Sequence, residues 1–169
     1  MFGKNIEDLT WEDVLKLVEG QVDEGQDLEF KSQHYGSSDD DKHEFAKDVT
    51  AFANTTGGII AIGVREDNQG RAEGFNPVSL YEGEILRYRQ ILASRVQPLV
   101  SFTTYSVPSD VDPNLGVLFI IIPRSNLAPH CVIVNIDLRF PSRYVKTTNY
   151  LQEKDLANAY RERLMLAQS

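Results

Sequence analysis

The stretch Asp48-Val-Thr-Ala-Phe-Ala-Asn-Thr-Thr-Gly-Gly-Ile-Ile-Ala-Ile-Gly-Val64 indicates how the rest of the chain folds. Its first half is helical, because apolar residues from Phe45 onward recur at i, i+4 and i+7 and so share one helix face. Asn54 to Gly58 ends the helix, since Asn and Gly tolerate the left-handed backbone at helix C-termini. Residues 59–64 are largely β-branched and do not alternate, which is typical of a strand buried on both faces. A helix is therefore expected to lead into an interior strand, with two glycines allowing their backbones to approach closely.

The composition is that of an ordinary globular chain. Its 169 residues suffice for one domain with a sizeable core, and no apolar run approaches the ~18 residues that a membrane span needs. The N-terminus lacks the apolar segment of a secretory signal. The single Cys131 allows no internal disulfide and lies in an apolar run, which predicts a buried, inert thiol. A cytoplasmic protein with no membrane partner is therefore expected.

Charge is distributed unevenly along the chain. The net charge of -8 argues against indiscriminate nucleic-acid binding through bulk electrostatics. Residues 1–67 hold 16 acidic and 6 basic residues, whereas residues 68–169 hold 9 acidic and 11 basic residues. The first part is suited to holding a cation and the second to holding a polyanion, although most such charges on any protein simply face solvent.

The order of the predicted elements indicates the fold class. Helices are predicted near residues 10–20, 40–54, 77–96 and 152–166, and strands near 24–31, 57–64, 71–74, 100–107, 116–122, 131–136 and 138–144. This order predicts a single α+β domain in which a mixed β-sheet is packed with helices. Neither 57–64 nor 116–122 alternates, so both are expected to be interior strands. In the last helix, Leu156, Tyr160 and Leu164 are expected to face inward.

Acidic residues beside the predicted strands are candidates for a metal site. Glu24, Glu29 and Lys31 lie close in sequence, and Glu66 and Asp67 follow the central strand. If the strand carrying Glu29 pairs with the central strand, these acids converge. Carboxylates at one sheet edge are ligands that Mg²⁺ or Mn²⁺ prefers, and Lys31 would then neutralise a scissile phosphate. The alternative is an ordinary solvent-facing strand of alternating charge.

One basic cluster is a candidate nucleic-acid contact. Arg139, Arg143 and Lys146 are interleaved with Phe140 and Tyr144. Basic and aromatic side chains together provide phosphate contacts and base stacking. The alternative is a strand edge that charge protects from aggregation.

Several motifs together resemble a known family. They are Glu24-Gly-Gln-Asp-Leu-Glu-Phe-Lys31, Ala51-Phe-Ala-Asn-Thr-Thr-Gly-Gly58, Ile60-Ala-Ile-Gly-Val64 and Phe140-Pro-Ser-Arg143, followed by a helix that ends Ala159-Tyr-Arg-Glu-Arg163. In order and spacing they resemble the Schlafen AlbA-like domain over roughly residues 20–165. The resemblance implies a Schlafen AlbA-like domain at 20–166, which the helix predicted near the N-terminus precedes as a helical segment at 1–19.

The resemblance implies an α+β fold and a nucleic-acid-binding role, with RNA or DNA as partner. Eukaryotic Schlafen relatives are metal-dependent endoribonucleases on transfer and ribosomal RNA. Their three acids fall on Glu24, Glu29 and Glu66, with Asp67 an equal alternative for the third, which implies an Mg²⁺ or Mn²⁺ cofactor. Bacterial members are labelled DNA-binding proteins or transcriptional regulators, and some carry an ATP-binding label. The alternative implied is a non-catalytic DNA-binding, regulatory or nucleotide-binding module.

The sequence also departs from the family pattern. The eukaryotic enzymes form a cradle from two tandem copies of the fold, so this single copy would need a homodimer to build the same groove. The third acid is Glu66 rather than the expected Asp. Bacterial members often carry further C-terminal domains, so an additional C-terminal domain in a longer parent protein is a further expectation.

Overall fold

The computed structural model describes residues 3–169, in which helices pack around a central mixed sheet. The helical elements are a 3₁₀ turn at Ile6–Asp8, α1 (Trp11–Glu19), α2 (Asp39–Asn54), α3 (Glu82–Arg95) and α4 (Glu153–Ala167). The strands are β1 (Leu28–Lys31), β2 (Gly58–Ile62), β3 (Val64–Glu66), β4 (Ala72–Phe75), β5 (Val78–Ser79), β6 (Val96–Gln97), β7 (Thr103–Pro108), β8 (Leu115–Ile122), β9 (Cys131–Val134), β10 (Asp137–Arg139), β11 (Pro141–Tyr144) and β12 (Thr147–Tyr150). No helix in residues 3–169 is long and apolar enough to span a membrane.

Two strands occupy the interior of the central sheet. β2 pairs in parallel with β1 and antiparallel with β8, and β8 also pairs with β5 and β7. The runs predicted to be interior strands are therefore interior, and the predicted α+β class is confirmed. Three smaller sheets surround this one: β3 with β4, β9 between β10 and β6, and β11 with β12.

The interior strands lack alternation because both faces of the sheet are covered. Ile60 and Ile62 of β2 pack into one apolar cluster with residues of α2 and α3. Ala61 packs into a second cluster, on the opposite face, with residues of α1. Successive side chains of a strand point to opposite faces, so every position of such a strand must be apolar or small.

The link between α2 and β2 is as close as the two glycines suggest. Gly57 has φ 74°, and a Cβ at this position would lie 2.7 Å from both the Arg124 nitrogen and the Ile122 oxygen. At Gly58 a Cβ would lie 2.4 Å from the ring of Phe52. Glycine is thus required here both for backbone conformation and for space.

Two helices differ from the sequence expectation, α3 in where it begins and α4 in how far it is buried. The third helix begins at Glu82 rather than near 77, because Val78 and Ser79 pair with β8 instead. α4 has no buried residue: Tyr160 packs edge-on against Phe140 but stays over a third exposed, and Leu164 is exposed. Of the three residues expected to face inward, Leu156 is half-buried, whereas the expectation is wrong for Tyr160 and Leu164, which are exposed.

The region between residues 131 and 150 holds more strands than expected. The predicted strand at 131–136 ends at Val134, because Asn135 turns the chain with φ 56°. The predicted strand at 138–144 is two strands, β10 and β11, and β12 was not expected. Val145, at the tip of the β11–β12 hairpin, also has positive φ, 54°. Cys131 is buried, as predicted.

We expect Gly57→Ala to lower the free energy of unfolding by roughly 2–5 kcal/mol, through left-handed strain and a clash with backbone atoms. Gly25→Ala is the matched control, because nothing lies within 4 Å of a Cβ there. Urea unfolding of both variants measures the difference. Equal stability of the two variants would contradict the close approach of Gly57 to the end of β8.

Candidate functional site

Three elements bring the predicted acidic residues to one edge of the sheet. Glu29 lies on β1 opposite Ile60 of β2. The chain leaves β2 and continues directly into β3, which ends at Glu66. Glu24 precedes β1, and its backbone N–H donates to the Gly70 carbonyl in the β3–β4 turn at 2.8 Å. The parallel pairing of β1 with β2 and this turn contact therefore converge Glu24, Glu29 and Glu66, as the sequence suggested.

Glu24 is the most perturbed of these acids. Its Oε1 accepts the backbone N–H of Phe30 at 2.8 Å, and its carboxyl lies near enough to that of Glu66 for the two groups to interact. Burial raises the pKa of Glu24 to about 8, and the carboxylates of Glu29 and Glu66 add to the rise, while the Phe30 amide opposes it. Glu24 thus holds a proton near neutral pH that a bound cation would displace.

Glu29 is bound by a buried arginine. Arg143 Nη1 lies 2.7 Å from Glu29 Oε2, and the arginine side chain is only 1% exposed. Its Nε and Nη2 donate to the Gly25 carbonyl at 3.0 and 2.8 Å, and Nη2 also donates to the Leu28 carbonyl at 3.0 Å. Burial and nearby Asp48 raise the pKa of Glu29, whereas Arg143 and Lys31 oppose that rise. Arg143 thus occupies one Glu29 oxygen and several backbone acceptors.

Lys31 lies among three carboxylates. Its Nζ is 3.1 Å from Glu44, 3.5 Å from Asp48 and 3.8 Å from Glu29. Burial lowers the pKa of Lys31, but Asp48, Glu29 and Glu44 outweigh it and raise the pKa, so the ammonium stays charged. Asp48 also accepts a hydrogen bond from the buried Tyr35 hydroxyl at 2.7 Å.

Glu44 and Asp48 belong to the site but were not singled out from the sequence. They lie one helical turn apart on α2, so they share the face that meets β1. That i, i+4 spacing was visible in the sequence. What was not visible is that α2 packs over Lys31.

Asp67 lies beside this cluster but serves the turn. Its Oδ1 accepts the backbone N–H groups of Gln69 and Arg71 at 2.8 and 3.0 Å, and its Oδ2 accepts Arg71 Nε at 2.9 Å. The backbone of Arg71, followed by that of Gln69 and the Arg71 side chain, lowers the pKa of Asp67. Of the two candidates for the third acid, Glu66 rather than Asp67 contacts Glu24.

The three basic residues of the predicted cluster do not share one surface. Arg143 is buried against Glu29, as described above. Arg139 is exposed on β10, with its guanidinium 5.9 Å from the centre of the Tyr150 ring. Lys146 is exposed at the β11–β12 tip, and its Nζ donates to the Gln69 carbonyl at 2.7 Å. Lys146 therefore reaches the turn that follows Glu66, whereas Arg143 supports the acids from beneath.

The acids open onto two adjoining cavities that share Glu66. One, of about 440 Å³, is lined by Glu24, Glu66, Asp67, Gln69 and Lys146 among others. The other, of about 360 Å³, is lined by Phe30, Lys31, Ser32, Arg65, Glu66 and Glu73 among others. We call these two cavities together the acidic groove.

The donor set suits a hard divalent cation, since Glu24 and Glu66 bring two carboxyl groups into mutual contact. A cation there would offset the burial, and the smaller repulsion from Glu29 and Glu66, that raise the pKa of Glu24. Within residues 3–169, however, no three Asp, Glu, His or Cys side chains already form a complete metal-binding group. Glu24 and Glu66 are the residues that would hold an ion, with Glu29 behind them.

Comparisons with known proteins agree with this fold. The sequence matches the family described as Schlafen, AlbA_2 over residues 24–153. The structure is similar to the crystal structure of the DIP2311 protein from Corynebacterium diphtheriae, with a TM-score of 0.54 and 18% sequence identity over 88% of this chain. The chain spans 27% of that protein's chain, and the likeness concerns the fold alone. No curated protein matches the sequence.

We expect the contribution of Glu24 to stability to fall as pH rises from about 4.5 to about 8, because Glu24 releases its proton at the ordinary pKa of 4.5 when unfolded but near 8 when folded. Glu24→Gln keeps the acceptor for Phe30 but removes this titration. The variant should therefore be more stable than wild type at pH 8.5 by roughly 1–2 kcal/mol, a value discounted for partial solvent exposure. Urea unfolding between pH 4 and 9 measures it, with the exposed Glu12→Gln as control. A stability difference between Glu24→Gln and wild type that stays constant from pH 4 to 9 would contradict the raised pKa of Glu24.

Arg143→Met should cost roughly 3–5 kcal/mol of stability, because it leaves Glu29 buried without its partner. Arg143→Met combined with Glu29→Gln should recover part of that loss, since the orphaned charge is removed. Arg139→Met is the matched control on an exposed arginine and should cost little. Urea unfolding of the four proteins gives the comparison. A loss from Arg143→Met no greater than that from Arg139→Met would show that Arg143 is not a structural ion-pair partner.

Proposed function

Because the chain belongs to the Schlafen AlbA_2 family, we propose that it is a nucleic-acid-binding domain that cleaves structured RNA with a divalent cation. The observation that carries this proposal is the approach of Glu24 to Glu66 at an open groove, one cavity of which Lys31 also lines. Two neighbouring acidic side chains in a groove that also holds a cationic side chain suit metal-assisted phosphodiester hydrolysis.

Glu24 and Glu66 would hold Mg²⁺ or Mn²⁺, which when bound acts as a Lewis acid on the phosphodiester. The residues of the chain supply the rest. Glu29, clamped by Arg143, keeps the strand that carries Lys31 in place. Lys31, charged and lining the groove, would stabilise the negative charge that develops on the phosphate. The Glu24 proton must leave before the ion binds, so activity should rise between pH 6 and 8.

Net charge makes the cation important for binding as well. A chain of net charge -8 with an acidic groove repels a polyanion. A divalent ion bound between Glu24 and Glu66 neutralises these two carboxylates and so removes much of the local repulsion. We therefore expect RNA affinity to depend on the metal ion.

The proposal also includes a homodimer in which two copies of the chain extend the groove. Light scattering in solution tests for this dimer.

The competing candidate is a non-catalytic module that binds DNA or RNA in a regulatory role. One observation favours it: Glu29 is paired with Arg143 and lies 3.8 Å from Lys31, so it has a structural role and is less available to bind a metal ion. In that case the acids support the fold, and phosphate contacts come only from exposed basic residues.

The test is cleavage of a structured RNA by the purified protein with Mn²⁺, with Mg²⁺ and with EDTA. Glu24→Gln and Glu66→Gln should each slow cleavage at least roughly 100-fold, because each removes a carboxylate that holds the ion. Mn²⁺ should raise the melting temperature of the wild type but hardly that of the two variants, because only the wild type retains the complete carboxylate pair. Glu12→Gln, which removes an exposed carboxylate from α1, should behave like wild type.

The outcomes separate the two candidates. RNA binding that survives EDTA, together with no cleavage under any cation, would overturn the enzyme and favour the binding module. A DNA duplex and the same structured RNA, compared in the binding assay, decide which nucleic acid that module prefers.

A further inference from the structure

The acidic groove is flanked by cationic side chains at both ends. Glu66 lies where its two cavities meet. Lys146 lines the cavity on one side of Glu66, and Arg65 lines the cavity on the other side. Neither is a residue of the proposed catalytic set, and Arg65 was not singled out from the sequence.

Both Arg65 and Lys146 have side-chain N–H donors that make no hydrogen bond within the described residues 3–169. Arg65 is exposed, and among residues 3–169 its guanidinium makes no hydrogen bond or ion pair. Lys146 uses one of its three donors, on the Gln69 carbonyl. Lys31, by contrast, is surrounded by three carboxylates. Arg65 and Lys146 are thus the groove cations best able to bind an external phosphate.

The position of Arg65 is built into β3 and β4. The register of this pair shifts between Arg65 and Glu66, because β4 carries Glu73 as an extra residue. Such bulges re-aim neighbouring side chains and recur beside functional sites. The guanidinium lies against Gly74, where a Cβ would come within 2.2 Å of it. A larger residue at 74 would push Arg65 away from that position.

The position of Lys146 is built into the β11–β12 hairpin. Gln26 donates to the Arg143 carbonyl at 2.9 Å and accepts the Val145 N–H at 2.6 Å. These contacts hold the hairpin tip, with Val145 in its left-handed conformation, over the β3–β4 turn. Lys146 is therefore held beside Glu24 and Glu66 by contacts outside its own side chain.

The same hairpin presents an aromatic ring to solvent. Side chains alternate along β11, so that Arg143 points inward and Tyr144 outward, where it is 71% exposed. An exposed tyrosine beside a lysine is the arrangement on which unpaired bases stack while the backbone is held by charge. A paired base offers no free face to such a ring.

We propose that the acidic groove binds an unpaired nucleic-acid strand, with Arg65 and Lys146 contacting phosphates on opposite sides of Glu66 and Tyr144 stacking on a base. This inference rests on the proposed nucleic-acid function and names the form of its substrate: unpaired nucleotides, such as the loops of a structured RNA. The strand then crosses the acids between two phosphate anchors, which places an intervening phosphodiester at Glu24 and Glu66.

The experiment measures binding of a fluorescent 2′-O-methyl RNA oligonucleotide in Mn²⁺ over a range of salt concentrations, and a gel after each titration checks that the strand is intact. Arg65→Gln with Lys146→Gln should weaken binding at least roughly ten-fold at low salt. It should also flatten the plot of log affinity against log salt by about 1.4, or ~0.7 for each lost phosphate contact. Lys154→Gln with Arg161→Gln on α4, the same change of charge, should leave both quantities as in wild type.

The stacking contact has its own readout. Tyr144→Ala should weaken binding of the single strand by roughly ten-fold, whereas Tyr144→Phe, which keeps the ring, should bind like wild type. A blunt duplex of the same sequence should bind more weakly than the single strand. A DNA strand tested in parallel shows whether the sugar matters; either result is consistent with anchoring through the shared phosphodiester backbone.

The failures are distinguishable. If the wild type binds no nucleic acid in Mn²⁺, the proposed function is wrong and the groove assignment falls with it. If the wild type binds but the Arg65 and Lys146 double variant matches the α4 control, only the groove assignment is overturned. Equal binding of duplex and single strand, or equal loss from Tyr144→Ala and Tyr144→Phe, would overturn the unpaired-strand assignment. Melting temperatures equal to wild type would confirm that the exposed substitutions leave the fold intact.

Discussion

The buried ion pair between Arg143 and Glu29 is the contact on which the arrangement of the site depends. A charge removed from water is costly unless every donor and acceptor around it is satisfied. Here the guanidinium binds Glu29 and the carbonyls of Gly25 and Leu28, and it lies 4.4 Å from the centre of the Phe52 ring. One side chain thus ties the β11–β12 hairpin to β1 and to α2, although these segments are far apart in sequence.

This pair also sets the electrostatics of the groove. Arg143 and Lys31 pair with Glu29, Glu44 and Asp48, whereas Glu24 and Glu66 have no cationic partner within ion-pairing distance among residues 3–169. Both carboxyl groups line an open cavity, and burial, with a smaller contribution from the neighbouring acids, raises the pKa of Glu24. Glu29 already has Arg143 as its cationic partner, whereas Glu24 and Glu66 have none in the described part of the chain. A dication therefore binds more readily at Glu24 and Glu66 than it would at a site in which every acid is paired.

The sheet could be predicted from the sequence because its patterns are local. Residues 58–62 and 115–122 lack alternation, and this reflects the apolar clusters on both faces of the central sheet. The two hairpins between residues 131 and 150 could not be predicted in the same way. Val145 adopts positive φ, which β-branched residues avoid, and its N–H is bound by Gln26, more than a hundred residues away in sequence. No local pattern contains that contact.

The site was predictable as far as it follows from strand pairing. The convergence of Glu24, Glu29 and Glu66 needed only the assumption that β1 pairs with β2. The burial of Arg143 was not predictable, since an arginine between serine and tyrosine resembles a surface residue, and arginine is rarely buried without a partner. Once Glu29 is placed opposite it, strand alternation accounts for both neighbours: Arg143 turns inward to the acid and Tyr144 outward to solvent. The inward residue ties the hairpin to β1, so it also helps to place Lys146 at the edge of the groove. The position of β11 therefore has two consequences: Arg143 pairs with Glu29, and the hairpin tip with Lys146 lies beside the groove.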